Sequence, residues 1–222
     1  SPVLAEEMLR GREHSFETIT ISGKPQAWSI SDYHPSCLDV VENAWIQWAT
    51  ILPREIGGPL HEKARAMGFA AIEALGLDSG MTHMEWFEKE DGSLAIGEIA
   101  QRPPGANLTR MTGLAHDIDA YRAWARAVVD NELDAPWPRK YAVGCAYLRG
   151  MGQGRIVNVT GVHEVHEAVG KWVMEAKLPT LGATKADSYE GDGYVVVRHE
   201  STDTVRAMVK KIIETVKVHY AE

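Results

Sequence analysis

The sequence predicts an α+β fold, in which an antiparallel sheet packs against helices. Strand patterns and helix patterns are grouped along the 222-residue chain instead of alternating regularly, and such grouping favours α+β over a doubly wound parallel sheet. The apolar content is 45% and the charged content 24%, both ordinary values for globular proteins. A chain of this length can therefore bury the core of one large domain or two small ones.

Hydrophobic periodicity and turn residues place the individual elements. In the first part of the chain we expect strands at 15–22 and 26–32, an irregular segment at 33–59, a helix at 60–75, a hairpin over 81–100, and helices at 107–114 and 117–129. In the second part we expect strands at 141–148 and 154–159, a helix at 162–169, strands at 172–176 and 193–199, and an amphipathic helix at 202–220. The segment 131–139, which holds two prolines, is predicted to be a linker. It divides the chain into domains 1–132 and 133–222.

The most informative segment is the predicted hairpin, because it carries two glutamates. Strand patterns run on either side of the dipeptide Asp91-Gly92, and this dipeptide between two alternating runs is a hairpin signal. Antiparallel pairing about the turn sets Glu85 and Glu98 roughly opposite each other, and side-chain alternation can place both carboxylates on one face. Two facing carboxylates repel each other unless a cation or a shared proton lies between them.

These glutamates predict a metal–phosphate site. Mg²⁺ is commonly held by one or two carboxylates together with substrate phosphates. Arg102 follows Glu98 by four positions, on the loop that leaves the strand, and its guanidinium can bind a phosphate or carboxylate through two parallel hydrogen bonds. A solvated hairpin surface is the alternative interpretation. The apolar neighbours of Glu85 and Glu98 favour the metal site, because unpaired charge among apolar groups is costly.

The hairpin resembles the metal-binding hairpin of the ATP-grasp carboxylate–amine ligases, the superfamily of biotin carboxylase, D-alanine–D-alanine ligase and the L-amino acid ligases. In that family the first strand supplies a Glu, which matches Glu85. The second strand carries the pattern Glu-x-Asn-x-Arg, which matches Glu98, Ala100 and Arg102. Ala100 departs from the pattern, since the family's Asn helps to hold a second Mg²⁺. The departure puts that second site in doubt, or passes its role to Gln101 or to water.

The segment 4–17 resembles the hinge between the two nucleotide-binding lobes of the same family. The resemblance implies that Glu6, Glu7 and the nearby backbone meet adenine, with Leu9 against its ring. It also implies that Glu13, seven positions after Glu6, takes the ribose hydroxyls. Taken alone, such an acidic and apolar segment is also typical of a solvated helix. Two motifs in the family's order support the resemblance more than either does by itself.

The resemblance implies the C-terminal lobe of an ATP-grasp fold over residues 1–132, followed by a smaller α+β subdomain over 133–222. It implies a ligase that uses ATP and Mg²⁺ (or Mn²⁺) to form an acyl phosphate from a carboxylate, and then passes the acyl group to an amine or similar nucleophile. Arg102 is then the catalytic residue, and His34 and Gly105 are candidate substrate contacts. A surface role for His34 and a turn role for Gly105 are the alternatives.

The same resemblance implies what else the protein needs. The family's glycine-rich loop and lysine-bearing lobe precede the hinge, so we expect the chain to be the C-terminal half of a larger enzyme and to be inactive alone. Its expected partners are small-molecule substrates, the missing N-terminal half of the same polypeptide and a second copy in a homodimer. The seven tryptophans, Trp48 among them, are expected to pack in the core or between domains.

Composition excludes some other partners. The net charge of −8, with no basic run, argues against a nucleic-acid partner. No apolar stretch approaches the length of a membrane span. The two cysteines, Cys37 and Cys145, lack paired spacing and favour a reducing cytoplasm. Two other functions stay open: a catalytically degenerate nucleotide-binding or regulatory module, and an assembly domain that uses residues 140–222 as its contact surface.

Overall fold

The structure is a computed structural model, which describes residue 3 and residues 5–221. Its strands are β1 (Arg12–Ile21), β2 (Lys24–His34), β3 (Trp48–Leu52), β4 (Gly80–Glu88), β5 (Leu94–Ala100), β6 (Ala142–Leu148), β7 (Ile156–Thr160), β8 (Val173–Lys177), β9 (Gly193–His199) and β10 (Lys217–Tyr220). Its helices are α1 (Cys37–Glu42), α2 (Pro59–Leu75), α3 (Leu108–His116), α4 (Ala120–Val129), α5 (Val162–Val169) and α6 (Thr202–Thr215). Among the described residues, no helix is long and apolar enough to cross a membrane.

The predicted α+β class is confirmed. Eight of the described strands form one antiparallel sheet in the order β5-β4-β1-β2-β3-β6-β9-β8, and β7 pairs with β10 separately. On one face of the large sheet, α2 packs over a cluster that includes Phe16 and Trp86, and α5 and α6 pack over β3, β6 and β9. On the other face, α3 covers β3 and β6, while α4 covers Ile19, Ala27 and Met81.

The prediction of an irregular segment over 33–59 was wrong in two places. Ser36 caps a short helix, α1, by accepting a hydrogen bond from the backbone N–H of Asp39. The next element, β3, is fully buried between β2 and β6. A short, continuously apolar run of this kind has no alternation to reveal it, and the surrounding prolines and glycines make the segment look like a loop.

The prediction of a helix over 202–220 was right at its start and wrong at its end. The helix stops at Thr215, and Lys217–Tyr220 forms β10, which pairs with β7. The apolar stripe of the helix runs directly into the alternating residues of β10. Pairing with a strand about 60 positions earlier in the chain, which no local pattern reveals, decides the outcome.

The large sheet continues across the predicted domain boundary. β3 lies before residue 132 and β6 after it, and the two strands pair from Trp48–Tyr147 to Leu52–Val143. Side chains from both sides of the boundary also share one core cluster, in which Trp48 stacks on Tyr147 with ring centroids 4.1 Å apart. The division into 1–132 and 133–222 stays a prediction. The site described next is built from residues on both sides of that boundary.

Candidate functional site

The predicted hairpin is formed by β4 and β5, and its two glutamates are direct cross-strand partners. Residues opposite each other in an antiparallel pair project from the same face, so the two carboxylates share a face as predicted. Glu98 lies on the edge strand β5 and is exposed. Glu85 lies one strand further in, and its side chain is 32% exposed. The pair therefore sits at the boundary between the sheet and solvent.

A cavity of about 190 Å³ opens beside Glu85. Its charged and polar lining consists of His83, Glu85 and Arg102. Most of the remaining lining is apolar or aromatic: Tyr33, Val40, Trp48, Ala106, Leu108 and Tyr189. The cavity therefore has a charged end and an apolar end, and residues from both sides of the predicted domain boundary enclose it.

A larger open groove of about 640 Å³ runs along the N-terminal segment. It is lined by the four residues predicted to bind the nucleotide: Glu6, Glu7, Leu9 and Glu13. The opposite wall is formed by Phe87 of β4 and by residues 95–97 of β5. Helix α1 separates the groove from the cavity, because Ser36 and Leu38 line the groove whereas Cys37 and Val40 line the cavity.

The groove and the cavity meet where Glu13 approaches Glu85. One ligand atom each from Glu13, Cys37 and Glu85 lies within 4.8 Å of the other two. Glu13 is 7% exposed, and its Oε2 accepts a hydrogen bond of 2.6 Å from the backbone N–H of Cys37. Burial first, and then the nearby charge of Glu85, raises the pKa of Glu13, although the Cys37 N–H opposes the shift. Two carboxylates held this close favour a cation or a proton between them.

A buried histidine, His83, lies between Glu85 and a second carboxylate, that of the buried Glu17. His83 Nδ1 lies 2.9 Å from Oε1 of Glu17, and its Nε2 lies 3.5 Å from Oε1 of Glu85. Burial alone would lower the pKa of His83, but the hydrogen bonds to Glu17 and Glu85 and their charges raise it to about 9. Glu17 itself is only 2% exposed. His83 is therefore held by Glu17 through one ring nitrogen, and its other ring nitrogen positions the Glu85 carboxylate.

The structure brings together most of the residues that the sequence singled out. Arg102 and Gly105 line the cavity with Glu85. Among the described residues, the Arg102 guanidinium donates to the carbonyl of Pro103 at 3.2 Å and makes no ion pair, so it is available to a ligand. The roles proposed for these residues stay predictions.

His34 is placed elsewhere. Its neighbour Tyr33 lines the cavity, and successive side chains of a strand project to opposite faces. His34 accordingly lies on the other face, where its Nε2 is 3.4 Å from Nη1 of Arg206 on α6. The structure gives no support for a contact between His34 and a ligand in the cavity.

Sequence reasoning missed several residues of the site. The loop between β8 and β9 reaches the cavity because Trp48 donates from Nε1 to the carbonyl of Tyr189 at 2.7 Å. Glu190 in the same loop accepts from the backbone N–H of Ala106 at 3.1 Å. No sequence signal connects residues about 140 positions apart. His83, by contrast, stands two positions before Glu85, and strand alternation could have placed it on the same face.

Comparison with solved structures shows the fold. The L-amino acid ligase from Bacillus licheniformis matches with a TM-score of 0.80 and 18% identity, over 97% of this chain and 55% of that one. Phosphoribosylglycinamide synthetase from Anaerococcus prevotii matches with a TM-score of 0.74 and 14% identity, over 97% of this chain and 55% of that one. A third match is the biotin carboxylase domain dimer of 2-oxoglutarate carboxylase from Hydrogenobacter thermophilus, in complex with MgADP, ADP and bicarbonate. Its TM-score is 0.62 and its identity 13%, over 94% of this chain and 46% of that one.

These matches show which fold the chain has. The L-amino acid ligase and the biotin carboxylase domain are ATP-grasp enzymes, and this chain has the corresponding fold. It spans about half the length of the solved structures that it matches. No protein-family model and no curated protein matches its sequence. The fold predicted from the two motifs is therefore confirmed by structure at an identity of 18% or less in these three comparisons.

Proposed function

We propose that this chain is part of an ATP- and Mg²⁺-dependent ligase that joins a carboxylate to an amine or similar nucleophile through an acyl phosphate. One observation carries the proposal: the groove, the carboxylates of Glu13 and Glu85, Arg102 and the cavity follow one another in the order in which such a reaction needs them. The groove ends at Glu13, Glu13 faces Glu85, and Glu85 opens into the cavity that Arg102 and Gly105 line. The structural matches to ATP-grasp ligases support the same type of reaction.

The nucleotide is assigned to the groove. Its volume of about 640 Å³ lies within the roughly 300–1,000 Å³ typical of small-molecule sites. Adenine is assigned to the part lined by Glu6, Glu7 and Leu9, and the ribose hydroxyls to Glu13. This order directs the phosphates toward Glu85. The ADP bound to the biotin carboxylase domain of H. thermophilus is consistent with a nucleotide in this fold.

The donor set suits Mg²⁺. Glu85 and Glu98 offer hard carboxylate oxygens on one face, and burial first, then the nearby charge of Glu85, raises the pKa of Glu13. Glu85 and Glu98 would hold the ion, with Glu13 beside them. When bound, Mg²⁺ neutralises charge on the phosphates. Burial, and then the charges of Glu13 and Glu85, raise the pKa of Cys37, which favours the carboxylates over the neutral thiol as ligands.

The remaining residues position and stabilise the reacting groups. A carboxylate oxygen of the substrate attacks the γ-phosphorus of ATP, ADP leaves, and the nucleophile then attacks the acyl carbon and displaces phosphate. Such phosphoryl transfer needs orientation and charge stabilisation more than covalent help from the protein. Arg102 can bind the acyl phosphate through a bidentate hydrogen-bond pair.

The experiment measures acyl-phosphate formation in the full-length protein that contains this chain. Hydroxylamine captures an acyl phosphate as a hydroxamate, so hydroxamate and ADP should appear together when ATP, Mg²⁺ and a carboxylate substrate are present. Glu98→Gln should reduce both products by about 10²–10³-fold, the usual scale for a lost electrostatic partner. Glu90→Gln, at the exposed turn of the same hairpin, is the matched control. Equal turnover in the two variants would refute the metal role of Glu98.

A degenerate nucleotide-binding module is the second candidate. Ala100 favours it, because the corresponding position of the ATP-grasp pattern holds the Asn that helps to bind a second ion. Such a module would bind ATP in the presence of Mg²⁺ but release no ADP with any carboxylate. Binding by calorimetry and ADP release, measured on the same preparation, separate the two candidates.

A further inference from the structure

We infer that the cavity beside Glu85 and Arg102 selects a carboxylate that carries a compact apolar substituent, and that Gly105 and Tyr189 together set the largest substituent it accepts. This inference rests on the proposed function for the identity of the reacting carboxylate. The shape and lining of the cavity carry the selection itself.

The lining of the cavity combines charged and apolar side chains. The charged groups of the lining, His83, Glu85 and Arg102, belong to β4 and to the loop after β5. Opposite them lie Trp48 and Leu108, each no more than 2% exposed. A charged substituent at the apolar end would lose its hydration and gain no partner there. The carboxylate end of a ligand therefore belongs beside Arg102, and its substituent belongs against Trp48 and Leu108.

The volume of the cavity indicates the size of the substituent that fits. An apolar cavity of about 150 Å³ holds a benzene ring, and drug-sized ligands need roughly 300–1,000 Å³. At about 190 Å³, this cavity has room for a branched aliphatic or phenyl substituent. The aromatic wall is firmly held, because Trp48 stacks on Tyr147 and donates to the carbonyl of Tyr189.

Gly105 and Tyr189 face each other at one side of the cavity and limit the size of the substituent. A Cβ atom added at Gly105 would lie 2.6 Å from Oη of Tyr189, so these two residues close the cavity between them. The Tyr189 ring also packs edge-on against Trp48, with centroids 6.1 Å apart. Tyr189 is 46% exposed, which makes it replaceable without loss of the core. Gly105→Ala should narrow this side of the cavity, and Tyr189→Ala should open it.

The test uses two series of carboxylates that differ only in their side chains. The first series is glycine, alanine, leucine, phenylalanine, glutamate and lysine, and the second is the corresponding acids that lack the α-ammonium group. Binding to the full-length protein is measured by calorimetry, and hydroxamate formation is measured in parallel. We expect leucine or phenylalanine, or its deaminated acid, to bind at least about tenfold more tightly than the charged and the smallest members. This is the low end of the discrimination that apolar pockets reach.

The variants test the two limiting residues. Gly105→Ala should weaken the binding of phenylalanine-type ligands more than the binding of alanine-type ligands. Tyr189→Ala should not weaken the binding of phenylalanine-type ligands in this selective way, because it opens the same side of the cavity. In the double variant the added methyl group no longer meets the phenol, so binding of the larger ligands should recover. Gly57→Ala, where an added Cβ meets nothing within 4 Å, and Tyr121→Ala on the exposed side of α4 are the matched controls.

The outcomes separate this inference from the proposed function. Apolar-selective binding without hydroxamate would support the cavity assignment and refute the ligase. Hydroxamate formation with a preference for charged substrates, or with a size preference that neither variant changes, would support the ligase and overturn the inference. Absence of binding by every member of the two series would also overturn it.

Discussion

A carboxylate oxygen of Glu13, on β1, and one of Glu85, on β4, lie within 4.8 Å of each other. The two strands are neighbours, and Glu85 pairs with Ser15, two positions beyond Glu13. Glu13 lines the groove and Glu85 lines the cavity. The two carboxylates therefore mark the place where a ligand in the groove would reach a ligand in the cavity.

Replacement of Arg102 by Lys should reduce catalysis far more than nucleotide binding. Lysine keeps the positive charge but loses the bidentate geometry, and the loss of an oriented partner in such sites costs about 10²–10³-fold in rate. Because Arg102 is exposed and makes no ion pair among the described residues, the free energy of unfolding should change by less than about 1 kcal/mol. ADP release and chemical unfolding of the full-length protein check both parts. Arg155→Lys is the control, and an unchanged rate for Arg102→Lys would refute the phosphate role.

Replacement of His83 by Leu should destabilise the fold by about 3–5 kcal/mol. The substitution leaves the carboxylate of Glu17, which is 2% exposed, without its partner at 2.9 Å, and an unpaired buried charge costs about this much. Adding Glu17→Gln to His83→Leu should restore much of the loss, because it removes the charge. Unfolding curves of the two single variants and the double variant give the coupling energy. Additive effects would show that Glu17 and His83 do not act as a pair.

Gly68→Ala should destabilise the protein although alanine is the better helix former. Gly68 lies on the buried side of α2, and an added Cβ would come within 2.5 Å of the Phe16 ring, which is 1% exposed. Alanine gains about 1 kcal/mol in helix propensity over glycine, but overpacking a core costs about 1–3 kcal/mol. We expect a net loss, measured by denaturant unfolding. Gly57→Ala should change stability by less than about 0.5 kcal/mol, and a gain in stability for Gly68→Ala would contradict the packing argument.

The sequence was sufficient for the parts of the fold that local patterns determine. The turn at Asp91-Gly92 predicted the hairpin of β4 and β5, whereas the register shift between Glu85 and Trp86, which brings Glu85 opposite Glu98, has no local signal in the sequence. The helix α2, which ends at Gly76 in the left-handed conformation, was also predictable. Both features depend on residues that are close together in the sequence.

The parts that could not be predicted depend on distant contacts. β3 is a strand because it fills the space between β2 and β6, and β10 is a strand because it pairs with β7. The apolar half of the cavity requires the contact of Trp48 with Tyr189, across 141 positions. A pattern read along the chain contains no information about such pairs, so the charged end of the site was predicted and its apolar end was not.

The last prediction concerns pH. His116 is the last residue of α3 and is 1% exposed, and its ring packs at a tilt against Trp137 with centroids 4.8 Å apart. Burial, and then the charge of Arg139, lowers its pKa from 6.5 to about 3. Below pH 6.5 the unfolded chain therefore binds a proton at His116 that the folded protein does not bind. Stability should accordingly rise with pH from about 3 to 6.5 and level off above that range, with this residue contributing up to about 1.4 kcal/mol per pH unit.

His116→Phe keeps an aromatic ring against Trp137 and removes the titration. Its unfolding free energy should resemble that of the wild type, or exceed it, at pH 7.5, and should fall less steeply between pH 6.5 and 4. His163→Phe, at an exposed position of α5, is the matched control substitution. Denaturant unfolding at pH 7.5, 6.5, 5.5 and 4.5 gives the slopes of all three proteins. If His116→Phe has the same slope as the wild type, His116 takes up its proton in the folded protein as readily as in the unfolded chain, and burial does not control its charge.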